Sequence, residues 1–167
     1  GFVYGLVLKL RYGVLLVRDL MISPPVKKFL PDQPPIHPMM IRKTLVLNFE
    51  GTLVSKDFEA GSGVMLHLRP DLMNFLNEIS KLYEIVIYTN EDSQFLQDAI
   101  ITIDPMQRYF RWNFGRDYFV LQGTRWVKDL RSLNRDLRKV VVVDVNNEFY
   151  PAEVPENVMF IPKYSGE

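Results

Sequence analysis

Cysteine is absent from all 167 residues, so neither a disulfide framework nor a thiolate metal site is available. Histidine is almost absent too. His37 and His67 lie far apart, show no ligand spacing and read as surface or loop residues. The chain has no net charge, with 20 Lys/Arg against 20 Asp/Glu. That balance argues against a dedicated nucleic-acid binder, whose phosphate contacts demand a basic excess. Long unbroken apolar runs are missing as well. A spanning helix needs about 20 mostly apolar residues, and the most apolar stretch, residues 1–22, is interrupted by Lys9, Arg11 and Arg18. Those charges, and the lack of a small-residue cleavage pattern after them, also argue against a signal peptide.

What is present is a chain able to bury a core. Hydrophobic residues make up 47% and aromatics 13%, enough for one domain at this length. Charge is unevenly spread. Lys9, Arg11, Arg18, Lys27, Lys28, Arg42 and Lys43 face only Asp19 and Asp32 within residues 1–43, which leaves five net negative charges on the remainder. Three parts follow from this patterning. Residues 1–22 read as a membrane-proximal or membrane-associated helix, with Gly1 to Leu8 as the tail of a span and Lys9 and Arg11 at the headgroups. An amphipathic helix packed on a partner protein is the alternative. Residues 23–40 hold six of the eleven prolines, a density that excludes helix and sheet interior and predicts an extended, semi-rigid linker. Residues 41–167 are the domain.

Within that domain, Lys43–Asn48, Glu84–Thr89 and Lys139–Asp144 are continuous Val/Ile/Leu-rich runs. Strands covered on both faces look like this. A helix is expected from Pro70 to Leu82, with Leu72, Phe75, Leu76, Ile79 and Leu82 on one face. A second is expected to start at Ser93 as N-cap and to run to Ile103, before Asp104-Pro105. Alternating strands and helices predict an α/β fold with a doubly wound parallel sheet. Tyr118–Leu121, Gln122-Gly123 and Thr124–Val127 predict an inserted β-hairpin. Its neighbourhood is rich in aromatics and arginines. Trp112, Arg116, Tyr118, Phe119, Arg125 and Trp126 are the candidate protein-binding residues, since aromatics and Arg supply anchoring energy at interfaces.

In parallel sheets the working groups collect at the carboxyl ends of the strands. Here these ends carry Asn48, Glu50 and Thr52 after the first strand, Thr89 after the second and Asp144 after the third, with Lys128 following the hairpin. Phosphoryl transfer through an aspartyl intermediate needs an Asp nucleophile, a second carboxylate for proton transfer, a hydroxyl and a Lys on the phosphate, and Mg²⁺ held by carboxylates. Asn48 offers only a neutral amide where a nucleophile would stand. No catalytic residue, metal or cofactor is therefore expected, and the six positions read as a degenerate pocket.

The order of these residues, with Arg69-Pro70, Tyr83–Thr89, Val127–Leu130 and Ser132–Asp144, resembles the haloacid-dehalogenase superfamily. It is most similar to the NLI-interacting-factor-like branch, the phosphatases of the RNA polymerase C-terminal domain. The likeness covers about Ile41 to Glu167 and points to a mitochondrial member of that branch. By resemblance, Asn48 falls on the nucleophile position, Glu50 on the acid-base position and Asp144 on the first residue of the metal loop. Thr52, Thr89 and Lys128 fall on the phosphate-gripping positions. Asn48, the longer Glu50, and Val145 in place of a metal-loop Asp or Asn all depart from the pattern. The resemblance implies a catalytically inactive domain on the mitochondrial inner membrane, facing the intermembrane space. Its implied partners are other inner-membrane proteins, presequence peptides and translocase channel subunits. A structural subunit of a respiratory complex is the second reading, and an active Mg²⁺-dependent phosphatase the third.

Overall fold

The computed structural model describes residues 28–33, 41–59, 63–153 and 155–166. The helix expected over residues 1–22, the linker outside 28–33, and His37 lie outside them. The elements in chain order are β1 (Lys43–Leu47), β2 (Val54–Glu59), β3 (Gly63–Leu68), α1 (Leu72–Ile79), β4 (Tyr83–Tyr88), α2 (Ser93–Ile103), β5 (Trp112–Phe114), β6 (Val120–Gln122), β7 (Arg125–Val127), β8 (Val140–Asp144) and β9 (Val158–Phe160). Single 3-10 turns at Arg116–Tyr118, Leu130–Leu133 and Leu137–Lys139 join the later strands.

Five strands form one parallel sheet in the order β5-β4-β1-β8-β9. The three apolar runs became its centre because both of their faces are covered. Leu45 and Leu47 of β1 join Ile85 and Ile87 of β4 in one core, with Leu72 and Leu76 of α1 and Leu96, Ala99 and Ile100 of α2. The intervening Val46, Val86, Tyr88, Val140 and Val142 point the other way, into a second core with Phe114, Phe119, Leu130, Leu133 and Tyr150. Among the described residues this second face is covered by 3-10 turns and aromatic rings rather than by a long helix. Chain order reverses about β1, which opens a crevice at the carboxyl ends of β1 and its neighbours.

Leu30 completes the second core, and Phe29 packs on Tyr88, Phe114 and Tyr118 with ring centroids 5.9, 5.1 and 5.1 Å apart. Phe29 N–H donates to the Ser132 carbonyl, Asn134 Nδ2 to the Leu30 carbonyl, and Arg135 to the Pro31 carbonyl. Residues 28–33, inside the stretch expected as linker, are thus clasped to the domain.

Two local details differ from expectation. Pro70 precedes α1 instead of starting it; Asp71 is the cap, in the left-handed region at φ 58°. For α2 the cap is Asp92, whose carboxylate accepts from the N–H groups of Gln94 and Phe95, and Ser93 is the first helical residue. The hairpin β6–β7 forms where expected, with Gly123 at φ 64° in its turn. A second hairpin, β2–β3, was not foreseen. Lys56 holds it to the loop after β4 through a 2.6 Å ion pair with Glu91.

Candidate functional site

Asn48, Lys128 and Asp144 meet at the carboxyl ends of β1 and β8. The loop after β1 is bent by Gly51 at φ 75°. A Cβ there would lie 2.9 Å from Lys163 Cγ, so the tight return needs glycine. Lys128 Nζ donates to Asp144 Oδ2 at 2.6 Å and to Asn48 Oδ1 at 3.2 Å. The Tyr150 hydroxyl donates to the same Asp144 Oδ2 at 2.8 Å, and the Val145 N–H donates to Oδ1 at 2.7 Å. Asn48 Nδ2 is used as well, donating to the Glu50 carbonyl at 2.8 Å. The cluster is closed to solvent: the Lys128 and Asp144 side chains are 2% and 5% exposed. Burial pushes the Lys128 ammonium below the ordinary lysine range, and the Asp144 carboxylate opposes that push. Burial first, and then Asp144, push the Tyr150 hydroxyl well above the ordinary tyrosine range, which keeps it protonated as a donor.

The remaining expected positions are divided. Thr89 is buried at the end of β4, where its Oγ1 accepts a 3.4 Å bond from the Glu91 N–H. Thr52 is buried with no partner for Oγ1 among the described residues. Glu50 does not face Lys128 or Asn48; its carboxylate pairs with Lys163 at 3.0 Å. The site residues missed by sequence reading are therefore Tyr150 and Lys163. Neither stands in a pattern that marks it, because both reach the site from loops after β8 and β9.

A divalent ion does not fit this arrangement. Mg²⁺ demands near-octahedral oxygen ligation. Asp144 is the sole carboxylate of the cluster, and both of its oxygens are occupied by Lys128, Tyr150 and Val145. The ammonium of Lys128 fills the place between Asn48 and Asp144, where a cation bridging the two loops would lie. Among the described residues no three His, Cys, Asp or Glu side chains cluster to hold a metal.

The expected protein-binding residues separate into four places. Trp126 and Arg125 project from β7, and the Leu121–Trp126 cross-strand pair is exposed, Trp126 by 59%. Arg116 is exposed on its 3-10 turn. Phe119 is buried against Tyr88 and Phe149, and Tyr118 lies among Phe29 and Phe114. Burial removes the Phe119 ring from any free surface, while Tyr118 stays partly exposed. Trp112 lies at the start of β5, in a cavity at the far end of the sheet.

Set on a parallel sheet that reverses about β1, this loop arrangement is that of a phosphatase-like α/β domain. The family described as NLI interacting factor-like phosphatase matches residues 43–167, and the chain belongs to that family. Mitochondrial import inner membrane translocase subunit TIM50-B of Drosophila melanogaster is 36% identical over 149 residues, covering 86% of this chain and 35% of the relative. The subunit tim50 of Neurospora crassa is 33% identical over 145 residues, covering 87% and 26%. The chain therefore spans about a third or less of the length of these relatives. Among solved structures, the RNA polymerase II CTD phosphatase Fcp1 superposes with a TM-score of 0.61 at 23% identity, covering 74% of this chain and 42% of that one. The fission yeast Fcp1 bound to beryllium fluoride gives 0.60 at 22%, with the same coverage. These likenesses establish the fold. No helix among the described residues is long and apolar enough to cross a membrane.

Proposed function

We propose that this chain is a catalytically inactive, phosphatase-like subunit of a mitochondrial inner-membrane translocase that receives polypeptides bearing presequences. The observation that carries the reading is the 30–36% identity, over 86–87% of the chain, to relatives named as mitochondrial import inner membrane translocase subunits. The site supports the loss of chemistry. A neutral amide is a poor phosphoryl acceptor, and Asn48 is buried with its amide oxygen on Lys128 and its nitrogen on the Glu50 carbonyl. Glu50 is turned to Lys163, away from any place where it would pass a proton to a substrate. In this reading residues 1–22 keep the chain at the membrane, the proline-rich stretch before Lys28 tethers the domain, and the domain faces the intermembrane space. Leu121, Arg125 and Trp126 then offer an exposed anchor for a translocase partner, and the acidic surplus after residue 43 suits a basic targeting segment.

Two measurements test this. A presequence peptide carrying a photoreactive group should crosslink to the full chain, at the carboxyl-end crevice or the β6–β7 hairpin. Absence of crosslinks at both would sink the receptor reading. Turnover of an aryl phosphate should stay at background with and without Mg²⁺; Mg²⁺-dependent turnover that Lys128→Ala abolishes would restore the enzyme.

A further inference from the structure

A cavity lies at the opposite pole from the phosphatase-like site. Tyr83 and Trp112 open β4 and β5, Arg42 immediately precedes β1, and Arg108, Tyr109 and Arg111 lie on the loop between α2 and β5; together they line a space of about 640 Å³. Ligand sites for small molecules fall at roughly 300–1,000 Å³. Its floor is built. The Arg135 side chain is 4% exposed and grips Glu84 with bonds of 2.7 and 2.8 Å, while its third nitrogen donates to the Pro31 and Asn134 carbonyls.

The charges at this pole do not cancel. Glu84 is consumed by Arg135 and accepts from the Thr44 hydroxyl. Asp32 is held by Lys28 and Asn134, each at 2.9 Å, and the Asn134 bond leads the causes that hold its carboxyl below the usual range. Among the described residues Arg42, Arg108 and Arg111 have no carboxylate partner. Arg42 is steered by one bond to the Ser80 carbonyl. Arg108 lies 5.3 Å from the Tyr109 ring, and Arg111 5.5 Å from that of Trp112. Arg108 also donates to Asn77 Oδ1 at 3.5 Å. Three guanidinium groups without a carboxylate partner over an aromatic-lined hollow match a ligand with clustered negative oxygens and a flat ring. Guanidinium forks bind phosphate oxygens bidentately, and aromatic faces take a planar base.

We propose that this cavity binds a soluble nucleotide, with the phosphates on Arg42, Arg108 and Arg111 and the base against Trp112. The site is separate from the crevice and hairpin invoked for polypeptides, so its failure leaves the receptor reading standing.

The test is calorimetric titration of the full chain with ATP, with inorganic triphosphate, and with vesicles of anionic phospholipid. ATP should bind saturably at one site. Arg108→Gln with Arg111→Gln should weaken it by about tenfold or more, the loss of one to two charge-assisted bonds. Trp112→Leu should weaken ATP several-fold but triphosphate less than twofold. Arg138→Gln, an exposed arginine outside the cavity, should change neither. Because Arg108 and Arg111 are exposed, their substitution leaves the core intact, and an unchanged melting temperature confirms it. No saturable ATP binding at millimolar concentration overturns the proposal, and so does an affinity indifferent to the arginine substitutions. Vesicle binding that needs these arginines while ATP does not bind would make the pole a membrane-facing surface and overturn it equally.

Discussion

Lys128 is a buried ammonium held by a carboxylate, Asp144, and an amide oxygen, Asn48 Oδ1. Taking one charge from such a pair leaves the other uncompensated, at a cost of about 3–5 kcal/mol. Lys128→Met should therefore destabilise the domain by that amount in urea unfolding, since Asp144 would keep only Tyr150 and the Val145 N–H. Lys128→Met combined with Asp144→Leu should recover most of the loss, because replacing both members with apolar groups removes the stranded charge. A single substitution costing under about 1 kcal/mol, or a double variant as unstable as the single, would mean that the pair does not hold the two loops together. The residues of this cluster were legible in the sequence as positions, but their present bonds were not. Asn48, Lys128 and Asp144 could be placed by strand ends and resemblance. Tyr150 and Lys163 could not, since the loops after β8 and β9 carry no periodicity that fixes where their side chains return.

Elements differ in how openly the sequence announces them. The strands β1, β4 and β8 are continuous apolar runs, and their interior position follows from that pattern. The strands β5 and β9, of three residues each, are too short to show any period. Hairpin β2–β3 was hidden by mixed polarity: Lys56 and Phe58 share a face with Val54, and Phe58 at the tip is 82% exposed. The proline-dense stretch hid Phe29 and Leu30, because composition gave no reason to expect two core residues between Lys28 and Pro31. Their burial makes a prediction. Leu30, 1% exposed, should cost about 2–5 kcal/mol when cut to Ala; a loss within about 0.5 kcal/mol would mark residues 28–33 as a surface strap with no part in folding. The β6–β7 hairpin predicts the reverse. Leu121 and Trp126 are exposed partners across the strands, so replacing both with Ala should move stability by no more than about 1 kcal/mol. It should nevertheless abolish crosslinking of the hairpin to a translocase partner in detergent extracts. A strong destabilisation with binding intact would mean that these side chains pack on the domain and anchor nothing outside it.

At the scale of the whole molecule, charge is polarised although it sums to zero. Five net negative charges fall on residues 44–167, while three arginines with no carboxylate partner among the described residues gather around the amino-terminal ends of the strands. The phosphatase-like crevice lies at the other end of the same sheet. In the receptor reading proposed above, a basic presequence would be drawn to the domain by its long-range field before any contact forms, and such steering acts on the rate of encounter more than on residence. The association rate of a basic presequence peptide should fall at least about tenfold as ionic strength rises from roughly 10 mM to 1 M, over which the Debye length contracts from about 30 to about 3 Å. The dissociation rate should change far less, because the contacts that hold the bound peptide are short-range. Stopped-flow mixing with a labelled peptide separates the two rates. An association rate indifferent to salt would show that the acidic surplus takes no part in capture, and would leave apolar docking as the only attraction the domain offers.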